Sequence, residues 1–229
     1  MKVDLDRIAF IGRTYREYKA MFDLDEGTMR ENRVLDCPGG ASSFAVEAAR
    51  RGYDVRACDI LYSIPSERLI EKACTDTAYA LEQAAKVKDL FNWGFYGSPE
   101  MHAQERMAAL KAFSDDFPIG IRNGRYVAGM LPALPFRDKE FSLVLSSHLL
   151  FLYGERLDFE MHLRNLRELA RVGQDVRVFP VVGLDGEPYK RLDEVISRLK
   201  TSGIKARTAP VFFEFMKGAK LMLVLSSHL

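Results

Sequence analysis

Asp36 is followed at once by Cys37, Pro38, Gly39 and Gly40, with Ser42 two residues on, and a second carboxylate, Asp59, falls 23 residues after the first. Small side chains in such a turn let a ligand approach the backbone, and a helix beginning near Ala41 would aim its unbonded N–H groups at that ligand. A carboxylate placed as Asp59 is, with Ile60 beside it, can accept hydrogen bonds from both hydroxyls of a ribose. Packing gives no reason for an acid at both strand ends, so the pair predicts a nucleoside site. The dinucleotide fingerprint G-x-G-x-x-G is absent, because no third glycine follows Gly39-Gly40, and this argues against NAD or FAD. His148, at the end of Ser146-Ser147-His148, titrates near neutrality and is the candidate general base; its other role would be a hydrogen bond to the backbone. His162 shares a helical stripe with Phe159, Leu166 and Leu169, which reads as packing.

The elements that must hold these residues follow from periodicity. Arg33–Cys37 reads as a strand, Ala41–Arg51 as an alanine-rich helix closed by Gly52, and Tyr53–Cys58 as a second strand, which completes a βαβ unit. Tyr15, Tyr18, Met21 and Phe22 recur at helical spacing, giving a leading helix over 13–22 within an N-terminal helical segment, 1–32. Residues 60–124 hold room for two helices, 66–90 and 99–113, where one is usual. They carry too few large apolar residues for a core of their own and are read as a helical cap on a single domain, 1–229. Beyond the cap come strands at 125–129, 141–147 and 175–182, helices at 157–172 and 191–201, and a terminal hairpin from 205–213 and 220–226. The expected fold is α/β: a doubly wound, mostly parallel seven-stranded sheet with a C-terminal antiparallel hairpin. Leu143–Leu149 recurs as Leu223–Leu229, but seven residues are too few for a repeated unit, so two buried strands of like sequence are expected.

Composition bounds the rest. The 229 residues carry a net charge of +1, without the basic excess of a protein that grips nucleic acid through phosphates. Arg164–Arg171 is interleaved with Glu168 and reads as a solvated helix face. No apolar run is long enough to cross a bilayer, and Met1–Arg7 has no secretory pattern. Cys37, Cys58 and Cys74 lack metal-ligand spacing; no metal is expected, and reduced thiols fit a cytoplasmic protein.

VLDCPGGASSF, the acid of YDVRACDI, AGMLPALPFRDKEFSLVLSSHLLFLY, LRELARVGQDVRVFPVV and the terminal hairpin together resemble the successive motifs of class I S-adenosylmethionine-dependent methyltransferases, over nearly all the chain except 60–124. The family's D-x-G-x-G-x-G is met here by Asp36, Pro38, Gly40 and Ser42. Met130 stands where the family often places an acid for the adenine amino group, so backbone near Met130 and Leu131, or solvent, would make that contact. Phe141-Ser142 replaces the usual F-D. Ser146, Ser147 and His148 resemble the fourth motif, beside the reacting methyl group. The resemblance implies S-adenosylmethionine as cofactor and S-adenosylhomocysteine as product.

Methyl transfer from a sulfonium asks a protein mainly to align the acceptor and exclude water. Neutral charge and a bulky cap point to a small organic acceptor, with Tyr15, Tyr18, Trp93, Tyr96 and His102 as candidate lining residues; the aromatic ones could instead anchor the cap. RNA or protein methylation is the alternative, although no Asn/Asp-Pro-Pro-Tyr/Phe element, Lys-Asp-Lys-Glu set or Pro-Cys nucleophile is present. A binding protein that keeps the nucleoside site without turnover is the rival from another class. Nothing in the sequence sets an oligomeric state.

Overall fold

β1 (Val34–Asp36) is fully buried and lies inside the sheet with a parallel neighbour on each side, which suits an apolar run ending in a carboxylate. The computed structural model describes residues 2, 3 and 6–226. Seven strands form one sheet in the order β3-β2-β1-β4-β5-β7-β6. These are β2 (Val55–Asp59), β3 (Tyr126–Ala128), β4 (Phe141–Ser147), β5 (Gly173–Phe179), β6 (Lys205–Pro210) and β7 (Leu221–Ser226). Every neighbouring pair from β3 to β5 is parallel, while β7 runs antiparallel to both β5 and β6. The hairpin is present, and its second strand inserts between β5 and the first. The register sets Asp36 beside Ala57, with Asp59 two residues further along β2, so both acids reach the carboxyl edge, where open α/β sheets bind ligands.

The helices fall on both faces. α1 (Tyr15–Phe22) opens with a capping box: Glu17 N–H donates to the Thr14 hydroxyl at 3.4 Å, and Thr14 N–H donates to the Glu17 carboxylate at 2.7 Å. α2 (Glu26–Glu31), capped by Asp25, is a second short helix within the N-terminal helical segment; its six residues bury only Met29, too little to show a period. α3 (Phe44–Arg50) follows β1, and α4 (Ser66–Lys86) and α5 (Pro99–Gly120) make the cap. α5 outruns its expected end at Phe113 because Phe113 and Phe117, both fully buried, pack at 5.1 Å, and this packing outweighs Pro118 inside the helix. α6 (Phe159–Val172) and α7 (Leu192–Thr201) cover the other face.

Two apolar clusters result. One joins α1, α3, the inner faces of α4 and α5 and the hairpin turn; the other joins β4, β5, α6 and α7. His162 belongs to the second layer, with its two ring nitrogens on the carbonyls of Asp158 and Leu150. The recurring heptapeptide is no repeat: Leu143–Ser147 lies in parallel β4 and Leu223–Ser226 in reversed β7, and Ser227, His228 and Leu229 lie outside the described residues. Among the described residues no helix is long and apolar enough to cross a membrane, and no group of three His, Cys, Asp or Glu could hold a metal ion.

Candidate nucleoside and acceptor site

The loop after β1 is crossed by a strap, residues 8–13, which lies directly on it. Ala41 N–H donates to Ile11 O at 3.3 Å, Ser43 N–H to Arg13 O at 3.1 Å, and the Ser42 hydroxyl to Arg13 O at 2.7 Å. Contact is so close that a Cβ on Gly12 would stand 1.9 Å from Ala41 O, and one on Gly40, which has φ +55°, 2.5 Å from Ile11 O. These two glycines let two backbones touch. The expected cradle of unbonded N–H groups is therefore corrected. α3 starts at Phe44 rather than near Ala41, and the donors ahead of it are taken: Gly39 by Cys58 O, Gly40 by Asp59, Ser42 by Gly39 O, and Phe44 by the Ser42 hydroxyl.

Asp59 ends β2 with one carboxylate oxygen 2.9 Å from Leu61 N and the other 3.1 Å from Gly40 N. Burial raises its pKa while these two N–H groups hold it down. Each oxygen keeps lone-pair capacity for a further donor, as two vicinal hydroxyls would require. Asp36 differs: it is wholly buried behind the loop, both its oxygens accept from the Tyr18 hydroxyl at 2.9 and 3.0 Å, and burial pushes its pKa well up. The Cys37 thiol is likewise pushed up, by its hydrogen bond to Cys58 and by burial.

A cavity of about 490 Å³ opens between loop, strap and cap. Pro38, Gly39, Gly40, Ser42, Asp59 and Ile60 line one end, and Tyr18, Ser147, His148 and His102 also face it. Asp36, Cys37, Ser146, Met130 and Leu131 do not border it. Met130 is 56% exposed beyond β3, next to the Gly129 N–H that donates to Asp59 O, and Ser146 is buried with no partner for its hydroxyl among the described residues.

Of the aromatic candidates, Tyr15 stacks on Phe44 at 5.7 Å beneath Arg51, and Trp93 and Tyr96 brace the cap. Trp93 meets Phe215 at 5.3 Å, and Tyr96 meets Phe215 at 5.1 Å and His102 at 4.7 Å. Their partners Phe213 and Phe215, with Phe91, form the apolar wall instead. This turn between β6 and β7 docks on the cap through Asn92 N–H to Phe215 O and Lys217 N–H to Leu90 O.

Behind the strap lies a charged cluster. Glu17, fully buried, accepts from Arg106, from the Tyr96 hydroxyl and, at 3.5 Å, from Arg13; Arg106 also donates to Gly12 O. Burial would raise the Glu17 pKa, but the guanidiniums of Arg106 and Arg13 hold it down to about 2. Arg13 Nε donates to His148 Nδ1 at 3.1 Å, and Ser147 Oγ lies 2.6 Å from the same nitrogen. Burial, with Arg13 and Arg106 nearby, pushes the His148 pKa well below the usual histidine range, and the same causes bring His102 down to about 3. His148 itself has φ +54°, a strained backbone at the strand end.

A parallel sheet in this strand order, with only β7 reversed, is the class I methyltransferase fold. No family model matches the chain. The uncharacterized protein MJ0045 of Methanocaldococcus jannaschii is 30% identical over 224 residues, 97% of this chain and 98% of its own length. The chain belongs to the family of that protein. Solved structures are more distant. Magnesium protoporphyrin IX methyltransferase from Synechocystis PCC 6803, with bound S-adenosylmethionine, is 14% identical, with a TM-score of 0.44 over 89% of this chain and 73% of its own. A SAM-dependent methyltransferase from Aquifex aeolicus is 17% identical, with a TM-score of 0.41 over 98% of this chain and 93% of its own.

Proposed function

We propose that the chain is a methyltransferase of the cytoplasm that uses S-adenosylmethionine and methylates a small organic acceptor enclosed by the strap and the cap. The observation that carries this reading is Asp59, a buried carboxylate at the sheet edge, lining a cavity of ligand size beside a loop stripped of side chains. The donor set fits a nucleoside. Each oxygen of Asp59 accepts one backbone N–H and has room for a further donor, and Ile60, half exposed at the rim, offers an apolar shelf for a base. When bound, the cofactor supplies a methyl group already activated on a sulfonium. The strap, Phe91, Phe213 and Phe215 exclude water from the acceptor.

His148 acts here as a hydrogen-bond donor. Arg13 occupies its Nδ1 lone pair, so the ring proton sits on Nε2, and its low pKa keeps it neutral. An acceptor must then present a free lone pair without help from this ring, as a bound anion or a neutral amine does. The cavity favours a small molecule over nucleic acid because its wall is mainly apolar, with Arg106 buried and Arg13 and Lys72 only partly exposed.

Calorimetry with S-adenosylhomocysteine and NAD tests the reading. The first should bind, and Asp59→Asn should weaken it by about tenfold or more while urea unfolding reports an intact fold. Tight binding of NAD with none of S-adenosylhomocysteine would sink it.

A further inference from the structure

We propose that Arg13 and Arg106 form a carboxylate-binding site in the wall of the cavity. The proposal rests on the nucleoside reading only for where the cavity lies. Both arginines face the cavity, Arg106 buried and Arg13 with 12% of its side chain exposed, and between them they have a single buried carboxylate, Glu17. One arginine would balance it. The second leaves an unmatched cation in a dry site, a costly arrangement that an incoming anion relieves. The strain is visible in Arg13, whose pKa is pulled down by burial and by Arg106, against the upward pull of Glu17.

Donor capacity points the same way. A guanidinium carries five N–H donors. Arg13 spends its Nε on His148 and one terminal nitrogen on Glu17, and the buried Nε of Arg106 has no partner among the described residues. Arg106 spends both terminal nitrogens, on Gly12 O and Glu17, and its Nε is closed to solvent, so Arg106 supplies charge while the uncommitted terminal N–H groups of Arg13 are the donors left for a carboxylate. The loop does not compete for the anion, because its N–H groups are bonded to the strap carbonyls, to Cys58 and Asp59 of β2 and to its own atoms. Nor do the histidines, which face the cavity in their neutral form.

Two ligands could bring the carboxylate: the amino-acid end of the cofactor, or an apolar acid serving as acceptor among Phe10, Leu81, Phe91 and Phe215. Arg13→Met separates them, since it keeps an apolar stem and leaves Glu17 paired with Arg106. Calorimetry would compare S-adenosylhomocysteine with 5′-methylthioadenosine, which has the nucleoside and sulfur but no amino-acid end. On the protein loaded with nucleoside it would also compare 2-naphthoate with neutral 2-naphthamide.

A loss of about tenfold or more for S-adenosylhomocysteine, with 5′-methylthioadenosine unchanged, assigns the site to the cofactor. A preference for naphthoate over naphthamide that disappears in the variant assigns it to the acceptor. If both preferences survive in a folded Arg13→Met protein, the proposal is overturned. Should neither nucleoside bind the unmodified protein, the methyltransferase reading fails by itself, and the naphthoate comparison, made on the free protein, still decides this one.

Discussion

Arg13 Nε stands 3.1 Å from His148 Nδ1, so a residue of the strap fixes the ring at the end of β4. An arginine Nε–H only donates, and the imidazole must therefore accept through Nδ1 and carry its proton on Nε2. Nitrogen-detected NMR of the histidines should show this tautomer for His148, neutral and without a titration step at the ordinary histidine value, because burial beside Arg13 and Arg106 pushes its pKa well down. A His148 resonance that titrates near 6.5 would remove the assignment, and with it the argument that the acceptor needs no base from this ring.

Gly12 makes the strap possible. A Cβ there would stand 1.9 Å from Ala41 O and 2.3 Å from Ser42 N, both backbone atoms that cannot swing aside. Gly12→Ala should lift the strap from the loop and lower stability by about 3 kcal/mol, in the range of severe backbone substitutions. Urea unfolding with an unchanged midpoint would show that the strap sits less tightly than described. Gly124→Ala is the control for a glycine substitution without a clash, for nothing lies within 4 Å of its Cβ; its φ of +73° makes its own cost conformational.

Stability should fall as the pH drops below about 6.5, where His102 begins to matter. Its folded pKa is about 3 against an ordinary 6.5, chiefly from burial. In that window the unfolded chain takes up a proton that the native protein refuses, so the histidine costs about 1 kcal/mol of stability per pH unit of acidification. Asp36, pushed up by burial, works in the opposite sense, since its native form holds a proton that the unfolded chain has released. The difference between the protein and His102→Phe therefore reads the histidine. The variant keeps a ring to stack on Phe215, which lies 4.5 Å away, and should lose less stability between pH 6.5 and 5. Parallel curves would show that His102 protonates freely.

How far the sequence spoke depended on whether a feature was periodic or local. β1, β4 and the hairpin were legible as apolar runs, Asp36 and Asp59 as acids closing two strands, and Gly39 and Gly40 as the turn after the first. Two further signals were present but unused. Thr14-x-x-Glu17 is a capping box, and Arg106 interrupts the buried stripe His102, Ala109, Leu110, Phe113 and Phe117, where a cation demands a partner. What no local pattern could supply is the pairing of Arg106 with Glu17 across 89 residues, or the laying of the strap on the loop. The same distance hides why Trp93 and Tyr96 face away from the cavity, since their partners Phe213 and Phe215 stand in a turn more than a hundred residues later.

Glu17 is the point on which cap, strap and leading helix converge. It sits on α1, receives Arg106 and Tyr96 from the cap, Arg13 from the strap, and Thr14 N–H at the helix start. Glu17→Gln would leave the buried Arg106 and the partly exposed Arg13 without a carboxylate, and stability at pH 7 should drop by about 3–5 kcal/mol, the usual consequence of removing one partner of a buried ion pair such as Arg106–Glu17. The loss depends on pH with a definite sign. Because the folded pKa of Glu17 is about 2, below its ordinary 4.5, its contribution is present above pH 4.5 and fades as the pH falls toward 2. Denaturation curves of the protein and the variant should therefore converge in acid. If Arg13 and Arg106 take an anion as proposed, a bound carboxylate should restore part of the lost stability of Glu17→Gln, and more of it than of the unmodified protein, because the vacated charge makes the site hungrier for an anion. Equal stabilisation of both proteins by 2-naphthoate would mean that the anion settles elsewhere.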